Sequence, residues 1–304
     1  MTRPVEIIGH RGARGLFPEN TIEGFRQAWA LGVRAFELDV GMTSDGVVVV
    51  SHDIALNPDI TRDATGKYLS GATPPIHDLT FAELQTYDVG RIRPASPYRL
   101  LHRAQKPADG ARIPSLEDVL RAVRDAGLII ELKTDPRYPH RTVAPAALAE
   151  AVLTVIDAAH AANRVTLESF DWRGPCHIRR LRPELRTAWL TRAETVRDAA
   201  LWWDGKSPSL HGGSVPATVA DQGGQVWAPE FSTLTRAAVA EALGLGLRVI
   251  PWTVNRRAAM RRLIGWGVDG LITDRPDVAA AVIAGQRPTH TSSPGSVHCC
   301  PVKC

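Results

Sequence analysis

His10, Glu37, Asp39, His52, Asp53, Glu131 and Lys133 each stand at or beside the end of a short apolar run. Side chains two apart on a strand share a face, so Glu37 pairs with Asp39 and Glu131 with Lys133. If these runs are parallel neighbours in a barrel, all of these groups converge at its C-terminal face, where barrel active sites lie. Three carboxylates gathered there repel. Two unit charges about 4 Å apart cost about 4 kcal/mol at an effective dielectric of about 20. Glu37, Asp39 and Glu131 must therefore be protonated, paired with Arg or Lys, or bound to a metal. All-oxygen donors suit Mg²⁺ or Ca²⁺ better than zinc.

A single histidine at a strand end is commonly structural. Two of them, His10 and His52, flanking a candidate cation site fit a general acid and a general base, because imidazole holds either form near neutral pH. Charge then bears on the substrate. Three carboxylates and one phosphodiester carry four negative charges, and a divalent metal, Arg11 and Lys133 carry four positive ones. A phosphodiester completes a neutral site, although a carboxylate ligand or a sugar acid balances it nearly as well. Trp172 and Trp252, at or just past strand ends, are further candidates to line a substrate mouth. Gly12 and Gly15 are expected to let the backbone pass close to a ligand.

The elements that must position these groups alternate. Strand-like runs at 5–9, 34–40, 47–52, 128–133, 164–169, 186–190, 225–228, 248–253 and 268–273 are separated for most of the chain by helix-period segments. That alternation marks an α/β protein with a largely parallel sheet. Nine strands are one more than a barrel of eight needs. Only "GMTSDG" joins the second to the third, too short for a crossover helix, so that pair departs from the alternation. Helix starts are legible in "NTIE", with Asn20 expected as cap and Glu23 three residues on, in "LTFAEL" with Thr80 and Glu83, and in "PSLEDVL" with Ser115 and Asp118.

Residues 54–113, rich in Pro, Gly, Asp and Thr, are expected to form an insertion over the mouth of the sheet or barrel. One domain is expected over 1–285, followed by a disordered tail at 286–304. With 44% hydrophobic and 22% charged residues and a net charge of +4, the composition is that of a soluble globular chain. No basic stripe interleaved with aromatics argues for nucleic-acid binding, and no apolar run reaches the length of a membrane span or a signal-peptide core. Four cysteines, three of them in the last six residues, form neither a disulfide framework nor zinc spacing. A cytoplasmic protein without a stable membrane anchor is expected. Nothing in the sequence indicates its oligomeric state.

The stretch "GHRGARGLFPENTIEGFRQAWALGVRAFELDVGMTSDGVVVVSHD" resembles the opening signature of the glycerophosphodiester phosphodiesterases: HRG, PENT, ExD and TxDGxxVVxHD. "IPSLEDVL", "IIELK", "SFDW", "PWTVN" and "GVDGLITDRPD" follow in the family's order, so the resemblance runs from about residue 7 to residue 277. It implies a distorted (β/α)8 TIM barrel with a cap insertion after the third strand. It also implies hydrolysis of glycerophosphodiesters, small-molecule substrates, to glycerol 3-phosphate and an alcohol. By position, His10 and His52 look like the acid/base pair, Glu37, Asp39 and Glu131 like ligands of a divalent cation, and Arg11 and Lys133 like phosphate contacts. Two other readings fit the same residues. A lipid-acting lysophospholipase D needs an apolar rim on the insertion, for which Leu56, Ile76, Leu100 and Leu101 are among the supply. A non-catalytic barrel that binds phosphorylated ligands is the other.

Overall fold

Residues 4–285 are described by the computed structural model. The tail expected to be disordered, 286–304, lies outside the described residues. Nine strands form among the described residues: β1 (Glu6–His10), β2 (Ala35–Met42), β3 (Val48–Val50), β4 (Gly127–Leu132), β5 (Val165–Ser169), β6 (Arg186–Thr191), β7 (Val226–Pro229), β8 (Arg248–Val249) and β9 (Gly270–Thr273). Eight of them run in the order β8-β7-β6-β5-β4-β2-β1-β9, each pairing parallel with its neighbour. Asp269 N donates to Val249 O (2.9 Å), Ile272 N to Pro251 O (3.0 Å) and Val254 N to Ile272 O (2.9 Å), which joins the β8 end to β9 and closes the ring. The result is a (β/α)8 barrel. β3 is the surplus strand: it lies outside the ring and pairs with β2, antiparallel, Val40 opposite Val50.

Alternation along each strand decides what the barrel receives. Ile8, Ala35, Ile129, Ala188, Val226, Ile250 and Ile272 point inward and form the apolar plug of the barrel. Two residues further along β1, β2 and β4 the same face carries His10, Glu37 and Glu131, so the polar groups sit directly above that plug. Residues between them point outward. Phe36, Leu38, Leu128 and Ile130 pack under helices 22–30, 116–122 and 145–158. On the opposite side Trp172, Trp189, Trp203 and Trp227 pack with helices 236–244 and 257–266.

Ser115 caps helix 116–122 through Asp118 N, and Thr80 with Glu83 forms a reciprocal capping box, as expected. The first helix differs. Its cap is Thr21, whose hydroxyl accepts from Gly24 N at 3.0 Å. Asn20 sits at φ 53° with its side chain turned to Asp39, because the chain must bend there to bring the 11–20 loop back onto β2.

The 54–113 segment holds short helical turns and its own small core around Leu56, Ile76, Leu84 and Ile113. It reaches the barrel mouth at the first loop. Tyr98 donates to Glu19 and accepts from Arg14 Nη1 (3.3 Å), and Gln105 Nε2 donates to Arg14 O (2.8 Å). Leu56 and Ile76 are buried, leaving Leu100 and Leu101 as the exposed members of the apolar set named above. No described helix is long and apolar enough to cross a membrane.

Candidate active site

A cavity of about 350 Å³ opens at the C-terminal ends of the strands, and His10, Arg11, Glu37, His52, Glu131 and Lys133 line it. Asp39 lies just behind. The carboxylates of Glu37, Asp39 and Glu131, all buried, offer oxygens within 4.8 Å of one another. β2 supplies the first two, and the register that sets Asp39 opposite Glu131 supplies the third.

Two cations are threaded between them. Lys133 Nζ lies 2.9 Å from Glu131 Oε1 and 3.5 Å from Asp39 Oδ1. Arg11 bonds Glu19 Oε1 through Nη1 (2.8 Å), approaches Asp39 Oδ2 through Nε (3.3 Å), and donates its backbone N–H to Glu37 Oε2 (3.1 Å). That last bond needs Arg11 in the left-handed region, φ 51°, a conformation that costs about 1 kcal/mol for a non-glycine residue. The two glycines serve this loop rather than a ligand. Gly12 takes φ 92° against Phe25, and a Cβ on Gly15 would meet Asp274 O at 2.6 Å.

Burial, then repulsion from Asp39 and Glu168, pushes the Glu37 carboxyl well above its ordinary range. Burial also raises Glu131, to about 7, with Lys133 opposing and Asp39 adding to the rise. Asp39 goes the other way: burial works against its charge, yet His52, Arg11 and Lys133 hold it well below the usual carboxylate range. One carboxylate thus stays ionised while its neighbours resist further negative charge. The oxygen-only donor set and this surplus of buried anions fit a hard divalent cation.

The two histidines are held differently. His10 Nδ1 meets Asp274 Oδ1 at 2.6 Å, leaving Nε2 turned inward, 3.6 Å from Glu37 Oε2. Asp274 is itself clamped by Arg14 Nε (2.7 Å) and Asn255 Nδ2 (2.7 Å). Burial, aided by Arg14, lowers His10 to about 4, so its imidazole is neutral at pH 7. His52, past the end of β3, pairs through Nδ1 with Asp53 Oδ1 (2.9 Å), and Asn57 holds the other oxygen of Asp53 (2.8 Å). Burial and the nearby Lys133 and Arg11 lower His52 as well.

Of the two tryptophans expected at the mouth, Trp252 lines the cavity and packs edge-on to Phe170 at 5.3 Å. Trp172 does not. It is fully buried, stacked on Trp203 at 4.0 Å, with its indole N–H donated to Leu190 O, because the chain has left β5 there and Trp172 opens the helix Arg173–Leu181. Trp202, buried in the core with Trp172 and Trp203, also reaches the cavity wall. Glu168, Phe170 and Asp274 were not singled out from the sequence. Their inward placement follows from the same spacing rule, Phe170 just past β5 being two beyond Glu168 and Asp274 just past β9 two beyond the inward Ile272, although spacing does not give Asp274 its partner.

Fold and site together define a (β/α)8 barrel enzyme with its polar groups at the C-terminal ends of the strands. The glycerophosphoryl diester phosphodiesterase family profile matches residues 10–278, and the chain belongs to that family. It is a hydrolase of glycerophosphodiesters. A glycerophosphodiester phosphodiesterase of Bacillus subtilis (strain 168) is 30% identical over 284 residues, covering 91% of this chain and 86% of its own. One from Caldanaerobacter subterraneus is 27% identical over 274 residues, covering 89% and 94%. Among solved structures, a Silicibacter pomeroyi DSS-3 protein named for the same activity superposes with a TM-score of 0.85 at 37% identity, covering 93% of this chain and 94% of its own. A phosphodiesterase of Oleispira antarctica, solved with the product sn-glycerol-3-phosphate, shares the fold at a TM-score of 0.70 and 20% identity, covering 92% and 96%.

Proposed function

We propose that the protein hydrolyses glycerophosphodiesters to sn-glycerol 3-phosphate and an alcohol with a divalent cation at Glu37, Asp39 and Glu131 and with His10 and His52 as its acid/base pair. The observation that carries this reading is the placement of both histidines on the wall of the cavity that the buried carboxylate cluster also faces. A bound cation would supply charge stabilisation for the nonbridging phosphate oxygens. Arg11 and Lys133, already held beside the carboxylates, add fixed positive charge at the same point.

His10 is suited to be the base. Its Nδ1 is committed to Asp274, and its Nε2 is free to take the proton of the attacking hydroxyl. Asp274 then stabilises the imidazolium. His52, oriented by Asp53, donates to the leaving alkoxide, and substrate phosphate restores the proton that Lys133 and Arg11 disfavour in the free enzyme. Trp252 and Phe170 form an apolar wall for one arm of the diester. The product complex of the Oleispira antarctica protein, on the same fold, supports glycerol 3-phosphate as the product here. Cys176, unpaired among the described residues, is in keeping with the cytoplasm as its compartment. Purified protein assayed on glycerophosphocholine and glycerophosphoethanolamine should release glycerol 3-phosphate; no turnover of any glycerophosphodiester would refute the assignment.

A further inference from the structure

A fourth carboxylate stands in the site. Glu168 is 1% exposed and lines the cavity, and its Oε2 has no hydrogen-bond partner among the described residues. Register places it. Asp39 pairs with Glu131 across β2 and β4, and Glu131 pairs with Glu168 across β4 and β5, so three carboxylates form one row on adjacent strands. Paired residues of parallel strands point to the same face, here into the barrel. On the far side of Glu168 the row continues with Ala188, which contributes no polar group.

The charge around Glu168 is unbalanced. If Glu19, Glu37, Asp39, Glu131 and Glu168 were all ionised, Arg11 and Lys133 would be their only close counter-charges among the described residues, since Arg14 is committed to Asp274. Lys133 is already shared by Glu131 and Asp39. A buried carboxylate with no partner carries the full cost of leaving water. Such a group is retained where something absent from the protein's own side chains pairs with it.

We propose that Glu168 is a fourth carboxylate donor to the cation site, directly or through one water, and that it tilts the site toward Ca²⁺ over Mg²⁺. This rests on the cation site assigned above to Glu37, Asp39 and Glu131. Mg²⁺ takes six oxygens in strict octahedral geometry and keeps several waters. Ca²⁺ takes six to eight at longer and more variable distances. Four carboxylates on three strands, three of them in one row and Glu168 beside the tight cluster rather than inside it, match the larger and less exacting ion.

The test is calorimetric titration of metal-free full-length protein with Ca²⁺ and, separately, with Mg²⁺, for wild type, Glu168→Gln and Glu168→Asp. Gln keeps the shape and hydrogen-bonding capacity of a neutral carboxyl but not the charge, and thermal melting of each metal-free variant verifies the fold. Wild type should bind Ca²⁺ more tightly than Mg²⁺. Glu168→Gln should lose about 10-fold or more in Ca²⁺ affinity and less in Mg²⁺ affinity, with Glu168→Asp between the two. Ca²⁺ affinity of Glu168→Gln within about twofold of wild type, on a protein that melts as wild type does, overturns the role of Glu168 and leaves the three-carboxylate site standing. Tighter Mg²⁺ than Ca²⁺ binding by wild type overturns the selectivity. No binding of either ion by wild type overturns this proposal together with the cation site itself.

Discussion

From β1 to β4 the inward residues at the strand ends are His10, Glu37, Asp39, Glu131 and Lys133, whereas on β6 to β8 and just beyond they are Leu190, Arg192, Ala228 and Trp252. Both halves share one barrel geometry and one apolar plug. The first half spends its inward positions on charge and holds it with an outer layer of aliphatic side chains. The second sends wall-forming groups inward, Trp252 among them, and packs Trp172, Trp189 and Trp203 on each other outside. On the proposed mechanism one half would carry the reaction and the other would shape and stiffen the cavity. Glu168, on β5, stands at the boundary, the last carboxylate of the charged row.

Substitutions that separate the halves can break this division. Largest should be His10→Ala or His52→Ala, each lowering kcat by about 10²- to 10⁴-fold while leaving the melting temperature near wild type. A variant of either that kept full rate would remove that histidine from the mechanism. Next comes Asp274→Asn, which leaves His10 free to adopt the other tautomer. A fall in kcat of about 10- to 10²-fold with little change in KM is expected, with an altered pH profile that a purely structural role would not produce.

Cation affinity sharpens the account of the charged half. Burial holds Glu131 at about 7 in the metal-free protein, and Glu37 is raised as well. A cation must displace those protons, so its affinity should fall as pH drops through the Glu131 value of about 7, by about tenfold per unit for each proton displaced, with the raised Glu37 adding to the dependence. Calorimetry at several pH values in two buffers of different ionisation enthalpy reads both the slope and the protons released. The smallest effect on rate belongs to the other half. Trp172→Ala should cost about 3–5 kcal/mol in denaturant unfolding, yet change kcat/KM of the folded enzyme by less than about threefold. A large rate loss without a stability loss would bring Trp172 back to the mouth.

The charged half was the more legible from sequence, and for a physical reason. Glu37/Asp39 and Glu131/Lys133 are charged residues two apart inside apolar runs, a pattern that burial alone does not produce. Glu168 has the same placement but a single charge beside Thr, Ser and Phe, so it reads as ordinary strand. Asp274 belongs to a loop whose partner, His10, is 264 residues away, and no local spacing reveals that contact. Tryptophans carry no sign of the face they will take. Trp172 sits in the core rather than at the mouth, and Trp202, itself a core ring, reaches the cavity wall, because the turns after β5 and β6 rather than strand alternation decide which ring meets the cavity. Asn20 failed as the helix cap because its side chain is claimed by Asp39. The barrel itself was legible from the alternation of runs, down to the surplus strand that the short "GMTSDG" link turns back on β2.

The central claim is that buried carboxylates at the end of β2 and β4 act through a divalent cation on a glycerophosphodiester that the histidines then cleave. The most direct measurement is release of glycerol 3-phosphate from glycerophosphocholine by chelator-stripped protein, verified metal-free by elemental analysis, before and after one divalent cation is restored. The account predicts near-complete loss of turnover on stripping and its recovery on addition of the cation. Equal rates in the stripped and restored protein would contradict it.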